Sequence, residues 1–227
     1  MRLALALVIA AAFAASPALA KLPVKPMKIA IKHKQYEIDV AYPQTGNKPV
    51  DAAIADWAKK EVADFKNDVA GNSNDDSSIG PNTLDISFDV ARNDDKVFAI
   101  VFTESTFEGG AHPNTNFRTM NFLMPDGWQV YLPEIFTQAG LKKISQLAIA
   151  DLDKQLMGPD SMSDKDWIAR GAGPDWDNFG DFVLLPNALD IQYAPYNVAA
   201  YAAGPQETKL PLIPLKPYLR ADWRAAA

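Results

Sequence analysis

The 227-residue sequence carries 22 basic and 28 acidic residues, a net charge of −6 with histidine neutral, and no cysteine. That charge argues against nucleic acid and anionic membranes as partners. The missing cysteine excludes disulfides, thiolate nucleophiles, thiolate metal sites and a lipidated cysteine behind a leader.

The chain opens as a secretory leader. Arg2 supplies the positive start, Leu3 to Ala15 is an unbroken apolar run, Ser16-Pro17 breaks it, and Ala18-Leu19-Ala20 is a small-x-small cleavage site. Cleavage after Ala20 is expected, with Lys21 the first mature residue and a periplasmic or secreted location. The apolar run is too short to span a bilayer comfortably, and no second long one follows, so no membrane span is expected.

Met27 to Tyr42 alternates, with Ile29, Ile31, Tyr36, Ile38 and Val40 in period two around a turn at His33-Lys34. This predicts a β-hairpin with His33 solvated at its turn. Val50, Ile54, Trp57, Ala58, Val62, Phe65 and Val69 recur at three- and four-residue steps and predict an amphipathic helix ended by Gly71, with Trp57 anchoring it to a sheet. Asn72 to Ser78 resembles a calcium loop only superficially. An EF-hand starting at Asn72 needs glycine where Ser77 stands and glutamate where Thr83 stands, so a mobile loop is expected.

Leu84, Ile86, Phe88 and Val90 alternate with polar residues as in a half-buried strand, and Val97 to Val101 is nearly continuously apolar, as in a central one. Lys96 to Phe107 and Thr115 to Met124 flank the stretch Phe107-Glu108-Gly109-Gly110-Ala111-His112-Pro113-Asn114. Adjacent glycines allow a sharp turn, and Pro113 drives His112 toward extended backbone, so a shaped loop with His112 at its apex is expected. Pro125-Asp126-Gly127 is a tight-turn signal, followed by an expected strand from Trp128 to Leu132.

Pro133 begins a helical region, and Leu141, Ile144, Leu147, Ala148, Leu152 and Leu156 carry it to about Met157. A short helix within Ser161 to Arg170 is expected to be capped by Ser163. Strands are predicted at Asp181 to Leu185, Leu189 to Tyr193, Asn197 to Ala203 and Thr208 to Ile213, with fraying from Arg220. The pattern is α+β: a largely antiparallel sheet packed by two main helices.

The chemistry is thin. His33 and His112 alone cannot furnish an ordinary zinc site without every histidine in the chain, and no metal or cofactor is expected. A serine triad using His112 has Ser105, Glu104 and Glu108 nearby, but no Gly-x-Ser-x-Gly occurs. His112 therefore reads as a loop clamp, with ligand contact as the alternative. Asp175, Asp177 and Asp181 beside Trp176 and Phe179 have the composition of a sugar-cleaving site or of an acidic surface loop, and the loop is the simpler reading. Tyr193, Tyr196 and Tyr201 either line a groove or sit half-buried in a sheet with their hydroxyls outward.

Taken together, these stretches resemble a family. Phe107 to Asn114 is similar to the Tyr-Thr-Gly-Gly-Ala-His-Gly-Asn type of motif found in the exported domains of RsiV-type anti-sigma factors and in the region preceding the catalytic domain of PdaC-type peptidoglycan deacetylases. Asn121-Phe122 to Asp126-Gly127, then Leu132-Pro133-Glu134-Ile135-Phe136, resembles that family's strand, turn and helix start. Tyr193-Ala194-Pro195-Tyr196-Asn197-Val198-Ala199-Ala200-Tyr201 resembles its tyrosine-rich signature, with Ala188-Leu189 where the family usually has glycine-leucine. The resemblance implies an N-terminal subdomain over residues 21–124 and a C-terminal one over 125–222, packed as one unit. It also implies a non-enzymatic binding or sensing module, which in the anti-sigma proteins binds lysozyme. A basic, lysozyme-like protein or a cell-wall component is the expected partner. The alternative is a peptidoglycan-acting hydrolase or deacetylase accessory protein. The candidate contact residues are Gly109, Gly110, His112, Asn114, Phe117, Tyr196 and Tyr201.

Overall fold

The computed structural model describes residues 21–71, 81–159 and 161–226. The expected leader and the Asn72–Ser78 loop lie outside the described residues.

The N-terminal part follows the hydrophobic pattern closely. β1 (Lys25–Lys32) and β2 (Tyr36–Gln44) form the expected hairpin, with reciprocal backbone bonds between His33 and Tyr36 at its turn. α1 (Lys48–Gly71) buries Val50, Ile54, Ala58, Val62, Phe65 and Val69 along one face. β3 (Asn82–Asn93) then pairs parallel to β2, a join that needs a long crossover, which α1 supplies. β4 (Val97–Phe107) and β5 (Asn114–Leu123) continue antiparallel, and β6 (Trp128–Gln129) completes a six-stranded sheet in sequence order.

β4 is covered on both faces, which accounts for its nearly continuous apolar run from Val97 to Val101. Phe98, Ile100 and Phe102, with Met120 and Phe122, pack into the core under α1. Val97 and Ala99 belong to a second core on the other face. That core is built from α2 (Leu132–Ile135), α3 (Gln138–Leu156), α4 (Lys165–Gly171) and a separate three-stranded sheet of β7 (Phe182–Leu184), β8 (Ala188–Tyr193) and β9 (Gln206–Pro211).

The fold is therefore α+β and largely antiparallel, but with two sheets rather than one. The small sheet lies against the face of β4–β5 and does not extend its edge. The join is polar and specific. The buried Asn121 side chain accepts from Leu184 N and donates to Phe182 O, both at 2.8 Å. Asp181 accepts from Thr119 N at 3.0 Å. Asn121 thus serves β7 as a strand edge would, satisfying two backbone groups that burial would otherwise leave orphaned.

Four local expectations are corrected. β6 is only Trp128–Gln129, because the chain turns into α2 at Leu132. α4 is capped by Asp164, whose carboxylate accepts from Trp167 N at 2.7 Å, while the Ser163 hydroxyl donates instead to Val198 O. Residues 197–203 form turns and a 3-10 segment at Tyr201–Ala203, not a strand: Asn197 N and Ala203 N bond to Ala194 O and Ala200 O close by, and Ala200 N and Val198 O bond to residues before α4 rather than to a neighbouring strand. The tail is held as α5 (Ala221–Ala226): Arg220 N donates to Ile135 O at 2.9 Å, and its guanidinium Nε to Pro133 O at 2.7 Å. Among the described residues no helix is long and apolar enough to cross a membrane.

Candidate functional site

The loop joining β4 to β5 meets the irregular segment after β8, and the candidate residues converge there. Gly109 has φ +83°, a conformation that glycine takes without strain; Gly110 does not, so only the first glycine is required by the turn. His112 follows, half-buried, its ring stacked on Tyr201 at a centroid distance of 3.6 Å and an interplanar angle of 17°. The Tyr201 hydroxyl donates to Pro113 O at 2.9 Å, and His112 Nδ1 lies 3.0 Å from the same oxygen. One loop carbonyl thus holds both rings.

Tyr196 extends the cluster, its ring 5.7 Å from that of Tyr201. It is 54% exposed and sits at φ +73°, the one non-glycine residue with positive φ among those described. A bulky side chain rarely adopts that conformation. The surroundings enforce it. Tyr196 N donates to Ala199 O at 3.0 Å, and the Trp167 indole donates to Tyr196 O at 2.9 Å. Ala200 N donates to Met162 O at 2.8 Å. α4 ends against this segment with no room to spare: a Cβ on Gly171 would lie 2.0 Å from Asn197 O.

The structure therefore brings His112, Tyr196 and Tyr201 together, with Gly109 and Gly110 shaping the loop and exposed Asn114 beginning β5 beside it. Phe117 is not part of the cluster. It stands on β5 opposite Thr103 and lines a separate pocket. Tyr193 also leaves the set: it is 2% exposed, in the second core, where burial raises its hydroxyl pKa. Ser105 and Glu104 pair with Thr115 and Asn116 on the strands below the loop, and His112 is engaged with Tyr201 and Pro113 O. Of the aspartates near Trp176, Asp175 and Asp177 are exposed, and Asp181 docks the small sheet, its pKa raised by burial against the opposing bond from Thr119 N. Among the described residues, no three His, Asp or Glu side chains are grouped to hold a metal.

Two cavities were not anticipated. A cleft of about 740 Å³ opens where β3, β4 and β5 meet α2, the β7–β8 turn and the tail, with Trp128 and Trp223 among its walls. Trp128 is 65% exposed. The second, about 270 Å³, lies between α1 and the hairpin and is lined by Trp57, Lys60, Glu61, Glu104, Phe117 and Arg118. Burial, reinforced by the charge of Glu61, pushes the Glu104 carboxyl up to about 7. Its sequence signal was the alternation Phe98, Ile100, Phe102, Glu104, which sets a carboxyl at the end of a core-facing row.

Residues 29–115 match the family described as deacetylase PdaC, and residues 133–212 match DUF3298, a family of proteins of unknown function. Over 192 residues the chain is 26% identical to the peptidoglycan-N-acetylmuramic acid deacetylase PdaC of Bacillus subtilis, covering 84% of this chain and 40% of that protein. The chain thus spans well under half of that relative. Crystal structures of DUF3298 proteins share the fold: one from Bacteroides fragilis with TM-score 0.55, 16% identity, and coverage of 88% of this chain and 95% of that one, and one from Pseudomonas aeruginosa with TM-score 0.56, 14% identity, and coverage of 88% and 96%. The chain is thus similar to the PdaC family over residues 29–115 and to DUF3298 over residues 133–212, and it shares the fold of the DUF3298 structures. The loop bearing His112 falls in the PdaC segment and both tyrosines in the DUF3298 segment, so the aromatic cluster joins the two.

Proposed function

We propose that this protein is a non-enzymatic binding module of the cell envelope, recognising a basic partner of lysozyme-like character through the His112–Tyr201–Tyr196 surface. The observation that carries the reading is Tyr196: a large ring held exposed at a backbone angle that costs energy. Strain of this kind persists where a side chain must be presented, and it costs on the order of 1 kcal/mol or more. Exposed tyrosines give large contact area for little ordering entropy, as recognition surfaces do. The acidic chain steers basic partners, an attraction that salt weakens. The relation to a peptidoglycan deacetylase supports an envelope setting. On this reading the leader is removed after Ala20 and the protein works in the periplasm or outside the cell. The intact mass of exported protein should start at Lys21; full-length protein recovered from the cytosol would refute export.

The test of binding is titration of the mature protein with lysozyme and, separately, cosedimentation with purified peptidoglycan, at low and high salt. Saturable binding weakened by His112→Ala and Tyr201→Ala at near-constant melting temperature supports the reading. Turnover of peptidoglycan abolished by His112→Ala would replace it with catalysis.

A further inference from the structure

The pocket between α1 and the β4–β5 hairpin lies apart from the aromatic cluster, and its walls have an unusual composition. Trp57 contributes an indole fixed against Phe102, ring centroids 4.2 Å apart. Around it stand two carboxyls, Glu61 and Glu104, and two cations, Lys60 and Arg118. Lys60 is engaged by Asp64. The Glu104 and Arg118 side chains line the same space, and neither makes a hydrogen bond or a close ion pair with a described residue, although the Arg118 charge is felt by Asp181.

Mixed walls of this kind select by elimination. A cationic ligand meets Lys60 and Arg118, and an anionic one meets Glu61 and Glu104. A purely apolar ligand would bury the Glu104 carboxyl and the Arg118 guanidinium without partners, which is costly. What remains is a neutral group with an apolar face for the indole and polar edges for the carboxyl and guanidinium. A pyranose ring has this form: C–H bonds on one face and hydroxyls around its rim. The volume, about 270 Å³, falls below the range of pockets that enclose drug-sized ligands and suits one ring of a chain that continues into solvent.

We infer that this pocket is a saccharide subsite, in which Trp57 underlies one neutral sugar ring and Glu104 and Arg118 hydrogen-bond its hydroxyls. Near neutral pH the Glu104 carboxyl is present in both protonation states, so it can donate to a hydroxyl as well as accept from one. The site does not depend on the partner proposed for the aromatic surface, and its variants leave that surface intact, so either reading can fail alone.

The experiment is titration of the mature protein with a soluble β-1,4-linked N-acetylglucosamine tetramer, with maltotetraose and adenosine in parallel, followed through the indole N–H signals of the five tryptophans. Trp57→Phe assigns its signal. The expected result is a saturable shift of the Trp57 signal with at least one tetrasaccharide, with Trp128 and Trp223 unmoved. Glu104→Gln and Arg118→Gln should each weaken binding about fivefold, the loss of one hydrogen bond, without lowering the melting temperature. Lack of saturable binding by either sugar overturns the inference. So does a response confined to adenosine, a shift at Trp128 or Trp223 in place of Trp57, or affinity unchanged in both polar variants.

Discussion

The β4–β5 hairpin has two ends, and they are built in opposite ways. At its tip a short loop meets a short segment, and four residues make the essential contacts: His112 and Pro113 from one, Tyr196 and Tyr201 from the other. At its base, ~30 Å away along the extended strands, the tryptophan-walled cleft draws on seven separated stretches between Arg92 and Trp223. The tip is held by a stack and two polar contacts to one carbonyl. The base is a by-product of docking the second core onto the first. A site made by local geometry should be sensitive to single contacts at its own residues, whereas one made by docking should respond to whatever holds the two cores together.

The largest expected effect breaks the tip from behind. Gly171→Ala puts a Cβ 2.0 Å from Asn197 O, and only movement of the segment carrying Tyr196 and Tyr201 can relieve the overlap. Destabilisation of about 3 kcal/mol by urea melting is expected, with the His112–Tyr201 ring-current shifts lost. Asn121→Ala should act on the base instead. It leaves Leu184 N and Phe182 O unpaired in a buried place and should cost about 2–3 kcal/mol, with hydrogen exchange accelerated in β7 before β4.

Smaller effects sharpen the contrast within the tip. Gly109→Val imposes a Cβ at φ +83° and should cost about 1–2 kcal/mol. Gly110→Val should be nearly neutral, since its φ is ordinary and the nearest atom to an added Cβ, His112 O, is 3.8 Å away. Equal costs at the two glycines would contradict the loop geometry.

A further, modest effect is a pH dependence. Burial raises Glu104 from its ordinary 4.5 to about 7. The folded state therefore holds this proton more tightly than the unfolded chain does. The associated stability is fully present below about pH 4.5 and is lost as pH rises through about 7. Glu104→Gln should thus gain stability relative to the parent on going from pH 4.5 to 8. The relative gain should be about 1 kcal/mol, because solvent at the half-exposed pocket screens the charge. A flat difference between the two melting curves across that range would remove Glu104 as the titrating group.

The same contrast governs what the sequence revealed. The tip was legible because its determinants are local: two glycines, a histidine and a proline in a row, and tyrosines within one short segment. The first helix, the β1–β2 hairpin and β3 follow from period, because one face of each is buried, and β4 follows from its nearly continuous apolar run, because both of its faces are covered. What escaped was relational. Asn121 reads as an ordinary polar residue in a strand, and only its two bonds to β7 show that the molecule has two sheets. Ser163 and Asp164 are equally good caps by type, and Val198 O decides between them by engaging the serine. The tail reads as a fraying terminus, yet Arg220 finds carbonyls of Pro133 and Ile135 more than eighty residues back. Closeness in sequence places Phe117 with the tip, but its position on β5 carries it to the pocket beside Trp57.

The central claim is that the tip presents Tyr196 for recognition and holds it at an energetic cost. Tyr196→Gly tests it most directly, with melting temperature and lysozyme affinity measured on the same preparation. Glycine takes φ +73° freely, so the variant should be as stable as the parent or slightly more so. It should nevertheless bind at least about tenfold more weakly, as the loss of a central aromatic contact does. Undiminished affinity, or a variant that loses stability and affinity together, would contradict the account and leave Tyr196 as a structural strut.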